Sequence, residues 1–280
     1  MKSIALGIVA GALFASAASA ALQNITVSPT GASLSTNAPD FTFNGIRTSD
    51  FSSINLTSSG ANSFTFTEHG FLPLATFDPG NFTPNGLNGS GTANPYGLYL
   101  SFTGSGSISG SPGLQTGSFS TLSYSLLGDP GFNDTFDNFD AGHQVFCIGC
   151  GDDVTLANGT LLPGGTNTVI LANANTAKPS PAAFVDLLFN GTSSSFFITP
   201  PPPFSVALDS QFSNTGDVTN QFSTGPGTST VTIGISGPGG GTGGSGSAQV
   251  VAIPTPEPAS LMLVASGLLG VGLIRRRSRK

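Results

Sequence analysis

The chain has 280 residues, 38% of them hydrophobic and only 8% charged, with 22 phenylalanines and no tryptophan. That much apolar material provides a core and argues against a chain disordered throughout. Between Leu22 and Glu257 only Arg47 and Lys178 oppose fourteen acidic residues, a net charge of −12 that excludes nucleic acid as a partner.

At the N-terminus Lys2 precedes an apolar stretch, Ile4 to Phe14, and then small residues, Ala15 to Ala21. This order of positive, apolar and small residues, with Ala18-x-Ala20 at its end, predicts a signal peptide over residues 1–20. Signal peptidase is expected to cut between Ala20 and Ala21.

The body then alternates with period two, and turn residues separate the segments. Phe41 and Phe43 alternate, as do Phe64 and Phe66, followed by Leu98, Leu100 and Phe102, with Ile108 in a Ser/Gly ribbon. Phe119, Leu122, Tyr124 and Leu126 continue the series. Val154 and Leu156 lead to Asn158-Gly159, a dipeptide that predicts a hairpin turn. Later segments are Val169 to Leu171, Phe184 to Phe189, Phe196 to Ile198, Val206 with Leu208, and Val231 to Ile235. No helical spacing interrupts them. About ten to twelve strands are expected, in one all-β domain of β-sandwich or jelly-roll-like form.

Pro200 to Pro203 predicts a stiff turn between strands, since proline has no N–H for a ladder. The glycine-rich tract 237–247 reads as a loop or linker. Because Ala248 to Ile253 is strand-like again, a hairpin joining Val231–Ser236 to Ala248–Ile253 is the favoured reading.

The chain closes on Pro256-Glu257-Pro258, an apolar run from Ala259 to Ile274, and Arg275-Arg276-Arg277-Ser278-Arg279-Lys280. A helix over that run is about 24 Å long, enough to cross if the bilayer thins slightly. The arginines favour the cytoplasmic side, leaving the body outside. This ending resembles a PEP-CTERM tail, the sorting signal of exported bacterial proteins. The resemblance implies an exosortase as processing partner, acting at Pro256, Glu257 and Pro258, and a passing stay in the inner membrane before the cell surface or matrix. The expected division is a signal peptide (1–20), a β-rich extracellular domain (21–253) and a sorting tail (254–280). Within that tail, residues 259–274 form the span and 275–280 the basic end.

Four body segments are similar to flocculation-associated PEP-CTERM proteins. They are Tyr96-Gly97-Leu98-Tyr99, Asp152 to Leu161, Phe184 to Phe189 and Pro202-Pro203-Phe204. That resemblance implies a role in floc formation beside exopolysaccharide and brings no catalytic residues.

Candidate chemistry is sparse. Cys147 and Cys150 are expected to form a disulfide in an exported protein. With His143 they also offer three zinc ligands, one short of a closed site. Asp129, Asp134, Asp137 and Asp140 crowd one Asn/Gly-rich segment and are candidates for calcium, although their spacing is not that of an EF-hand. Phe132, Phe136 and Phe139 suggest that part of this segment packs down.

Only two histidines are present, and no GxSxG or HExxH motif occurs. Glu68 and His69, adjacent on one predicted strand, point to opposite faces. With no tryptophan, only Tyr96, Tyr99 and Tyr124 combine an aromatic face with a polar tip, a supply that favours a weak matrix contact over a tight sugar-binding module. The sequence therefore points to a non-catalytic exported matrix protein without a cofactor. A carbohydrate- or calcium-dependent adhesive module is the alternative, and an envelope polysaccharide hydrolase the third reading.

Overall fold

Strands form here where apolar side chains facing inward alternate with Ser, Thr and Gly facing out, the period-two pattern of a sheet with one buried face. The structure is a computed structural model and describes residues 21–91, 94–111, 113–136, 144–172, 180–213, 222–224, 230–235 and 244–253. The expected signal peptide, the sorting tail with its span, His143, Asp137, Asp140, Phe139 and most of the glycine tract lie outside the described residues.

In chain order the strands begin with β1 (Ile25–Val27), β2 (Phe41–Phe43), β3 (Gly45–Gly60), β4 (Ser63–Asp78), β5 (Tyr96–Ser111) and β6 (Leu114–Pro130). They continue with β7 (Val154–Leu161), β8 (Asn167–Ala172), β9 (Ser180–Gly191), β10 (Phe197–Thr199) and β11 (Phe204–Ser213). Last come β12 (Phe222–Thr224), β13 (Thr230–Ile235) and β14 (Gly244–Val251). Fourteen strands among the described residues exceed the ten to twelve expected, because short pieces such as β1 and β12 carry too few residues to show a period.

The fold is all-β and sandwich-like, and its layers are joined. β3, β4, β5 and β6 form a meander of antiparallel neighbours. From β6 the ladder passes through β7, β9, β11 and β14, and β14 pairs back onto β3. The path closes on itself, so none of these eight strands is left with a wholly open edge. A second sheet of three strands, β10-β1-β2, stands apart from the ring.

The interior belongs to Phe66, Leu72, Leu98, Leu100, Phe119, Tyr124, Leu126, Leu187, Phe189 and Leu208, all buried in one cluster. Burying each large apolar side chain stabilises the fold by on the order of 2 kcal/mol. On the outer face the polar residues pair across strands: Thr103 bonds Ser123 at 3.2 Å and Ser105 bonds Thr121 at 2.8 Å. The small sheet adds an aromatic cluster in which Phe77 meets Phe41 and Phe43 edge-on, each at 5.0 Å.

Two expectations fail. Asn158-Gly159 makes no turn; both residues lie inside β7, paired with β6 and β9. Its glycine serves instead to admit the Tyr124 ring, whose hydroxyl donates to the Leu188 carbonyl at 2.9 Å. The glycine tract joins no hairpin either. β13 pairs with Ser52–Thr57 and β14 with Gly45–Asp50, so the two strands follow one another along the same edge of β3. The edge of a 16-residue strand is long enough for both, and each gains its hydrogen bonds there rather than from the other. Pro200 to Pro203 does separate β10 from β11, as the missing donors require.

Candidate functional site

Beyond β6 the described residues 131–136 and 144–148, here called the crossing segment, lie on the outer side of β3, β4 and β5. Ser53 Oγ accepts the Val145 N–H at 2.7 Å, and the Asn55 and Gln144 amides bond each other at 3.3 and 3.0 Å. His69 Nε2 donates to the Val145 carbonyl at 3.3 Å. Phe136 packs between Phe71 and Tyr99, with ring centroids 5.1 and 4.7 Å away. Phe132, by contrast, remains exposed, because it occupies a turn at positive φ rather than a face of the sheet.

This crossing segment is tied down at both ends. The Asp129 carboxylate, at the end of β6, accepts the N–H groups of Asn133 and Asp134 at 3.3 and 3.2 Å and so shapes the turn. Further on, Thr135 and Ile148 form a two-bond bridge at 2.8 and 3.0 Å. Cys147 and Cys150 are joined as a disulfide with Cα atoms 6.1 Å apart. The loop it closes is tiny, so the bond stiffens a turn and adds little to the stability of the whole fold. Between the cysteines Gly149 has a φ of 105° and rests against the Asn133 carbonyl and the Asp134 carboxyl. A Cβ there would push the turn off the acidic residues.

Three carboxylates meet at this point. Atoms of Asp129, Asp134 and Asp153 lie within 4.8 Å of one another. Asp129 is 1% exposed and Asp134 8%. Asp153 accepts a hydrogen bond from the Tyr99 hydroxyl through Oδ2. Its Oδ1 and both oxygens of Asp134 meet no donor from any other described residue, so these two carboxyls face each other and can only share a proton. Burial, then the charges of Asp129 and Asp153, push Asp134 up to about 7. Burial also raises Asp129, against the lowering effect of its two backbone donors.

Two of the four aspartates suggested by sequence, Asp129 and Asp134, are thus brought together. The third partner, Asp153, is not among those suggested. The signal for it is topological: β6 and β7 are antiparallel neighbours with Gly128 opposite Val154, which sets Asp129 beside Asp153. Asp134 also lies near both cysteines, but sulfurs bonded to each other offer no thiolate to zinc.

A second carboxyl pair is internal. Asp50 and Glu68 line adjoining cavities of about 40 and 50 Å³ whose other walls include Phe66, Leu100, Phe119 and Phe212. Burial, then the charge of Asp50, raises Glu68 to about 8. Glu68 and His69 do face opposite sides, one to this cavity and the other to the crossing segment. The three tyrosines offer no surface platform. Tyr96 is 0%, Tyr99 2% and Tyr124 5% exposed, because their rings belong to the packed faces of β5 and β6.

The two ends of the described body meet: Ala252 donates its N–H to the Ala21 carbonyl at 3.2 Å, and Leu22 bridges Val251. The chain therefore leaves β14 beside the point where residue 21 enters, a few residues before Pro256-Glu257-Pro258. No curated protein and no solved structure matches the chain. Residues 254–278 match the model of the PEP-CTERM protein-sorting motif, and that match covers the Pro-Glu-Pro triplet, the apolar run and Arg275, Arg276 and Arg277. A triplet, an apolar run and a basic end close the chain, and residues 254–278 thus carry a PEP-CTERM protein-sorting motif, which implies processing by an exosortase and export through the membrane.

Proposed function

We propose that the protein is a non-catalytic component of the cell surface or exopolysaccharide matrix that supports aggregation of cells. The sorting motif at residues 254–278 carries this reading, since it implies processing by an exosortase and export through the membrane. Signal peptidase would remove residues 1–20, and the tail would hold the body at the inner membrane until it is cut near Glu257.

Other features support a passive role for the body. Its surface ladders are rich in Ser and Thr, and its net charge keeps it away from other acidic polymers at short range. The interior carboxyl pair lines cavities of about 40 and 50 Å³. Small-molecule sites are typically roughly 300–1,000 Å³, which makes a polysaccharide hydrolase built on Asp50 and Glu68 the weaker reading.

Glu257→Ala tests the proposal. The variant is expected to accumulate as an uncleaved, membrane-held form, and cells making only this form should flocculate poorly. Wild-type flocs from cells in which immunoblotting shows only the uncleaved chain would contradict a matrix role for the released body.

A further inference from the structure

We propose that Asp129, Asp134 and Asp153 bind one calcium ion on the outer face of the body, between the end of β6, the crossing segment and the start of β7. Asp134 is 8% exposed, yet no donor from any other described residue meets either oxygen of its carboxyl or Oδ1 of Asp153, and only a proton shared between these two carboxyls relieves them. A buried carboxylate without a partner costs more than almost any other polar group. No basic side chain among the described residues offsets it: Arg47 pairs with Asp78 at 3.6 Å.

The spacing fits a cation. The carboxylate atoms lie within 4.8 Å of one another, and oxygens bound to one calcium at 2.3–2.6 Å stand at most about 5 Å apart. The donors are hard oxygens from two stretches of chain, the turn that follows β6 and the residue before β7. Such a set suits calcium, which accepts irregular shells, better than magnesium, which demands a near-ideal octahedron. Zinc would want the thiolates that the disulfide has consumed.

The surroundings hold these oxygens in place. Backbone N–H groups of Asn133 and Asp134 fix the Asp129 carboxylate, and the Tyr99 hydroxyl fixes Asp153. Gly97 lies against Asp129 and Gly149 against Asp134, so a Cβ on either would crowd a ligand. The disulfide turn and the Thr135–Ile148 bridge then close one side of the site. Bound calcium would lock the crossing segment onto the sheet. An exported protein meets the calcium concentrations at which extracellular sites, with Kd of roughly 10⁻⁴–10⁻³ M, fill and empty.

The chain has no tryptophan and three tyrosines, and Tyr99 touches the site, which gives a spectroscopic test. The full chain, stripped with EDTA, is titrated with Tb³⁺ while tyrosine is excited, and Ca²⁺ is then added in competition. One Tb³⁺ per chain is expected, with emission removed by Ca²⁺ and strongly reduced in Tyr99→Phe. Asp134→Asn and Asp153→Asn should each weaken Ca²⁺ binding at least tenfold by calorimetry. In EDTA at pH 8, where Asp134 is ionised, Asp134→Asn should melt above wild type, since a carboxylate crowded by Asp129 and Asp153 is gone; in Ca²⁺ that order should reverse. Calorimetry showing no Ca²⁺ binding to wild type up to about 10 mM would overturn the proposal. So would calcium binding left intact in both folded variants, which would put the ion elsewhere.

Discussion

Replacing Glu68 with glutamine is expected to stabilise the protein at pH 8 by about 3 kcal/mol relative to pH 5. Burial and Asp50 raise the Glu68 carboxyl from 4.5 to about 8 in the folded state. The unfolded chain ionises near the lower value. Between the two, the native state holds a proton that the unfolded state has released, so stability falls as pH rises. The contribution is fully present below pH 4.5 and is lost as pH approaches 8. In Glu68→Gln the side chain would keep the shape of the protonated acid at every pH, and the slope belonging to this residue should vanish. Asp134, raised to about 7, tilts the wild-type curve in the same direction, so the comparison between variant and wild type isolates Glu68. Urea melts of both chains at pH 5 and pH 8 provide the check. Parallel pH profiles would mean that water or a rearranged Asp50 relieves the buried charge.

Gly159→Ala is expected to cost about 3 kcal/mol, the sum of a clash and a stranded hydroxyl. A Cβ at residue 159 would meet the Leu188 carbonyl oxygen and the Tyr124 hydroxyl, which bond each other at 2.9 Å. The ring cannot retreat, because Tyr124 is 5% exposed and stacks on Phe189 with centroids 6.5 Å apart. Relief must come from the β7–β9 ladder, which Gly159 and Phe189 hold together. For a domain of this size the melting temperature should drop by roughly 6–12 °C. Gly151→Ala, where nothing lies within 4 Å of the added carbon, serves as the control and should shift it by no more than about 1–2 °C. Equal effects of the two substitutions would show that the close approach of Tyr124 to β7 is not what Gly159 serves.

These two residues also show how far the sequence can be read. Phe64 with Phe66, and Leu98 with Leu100 and Phe102, announce strands and their inward face through spacing alone. Glu68 can be assigned to a face for the same reason, but its neighbour Asp50 lies on another strand and appears only when β3 and β4 pair. Asn158-Gly159 carries a strong local turn signal that loses to the non-local need for space beside Tyr124. The glycine tract misleads similarly, since the open edge of β3 offers β13 and β14 more hydrogen bonds than they could give each other. At the candidate site Asp129 and Asp134 are legible as a cluster, five residues apart. Asp153 is not, because only the pairing of β6 with β7 brings it there. The sorting tail lies at the other extreme: its meaning is linear, and it is legible without any fold.

Intact-mass spectrometry of the protein recovered from the cell surface and from the medium tests most directly whether the tail is a sorting signal removed from a body that functions outside the membrane. The expected chain begins at Ala21, ends close to Pro256-Glu257-Pro258 and lacks the apolar run Ala259 to Ile274 with its arginines. External protein that retains residues 259–280 in full would contradict it, and the tail would then be a permanent anchor.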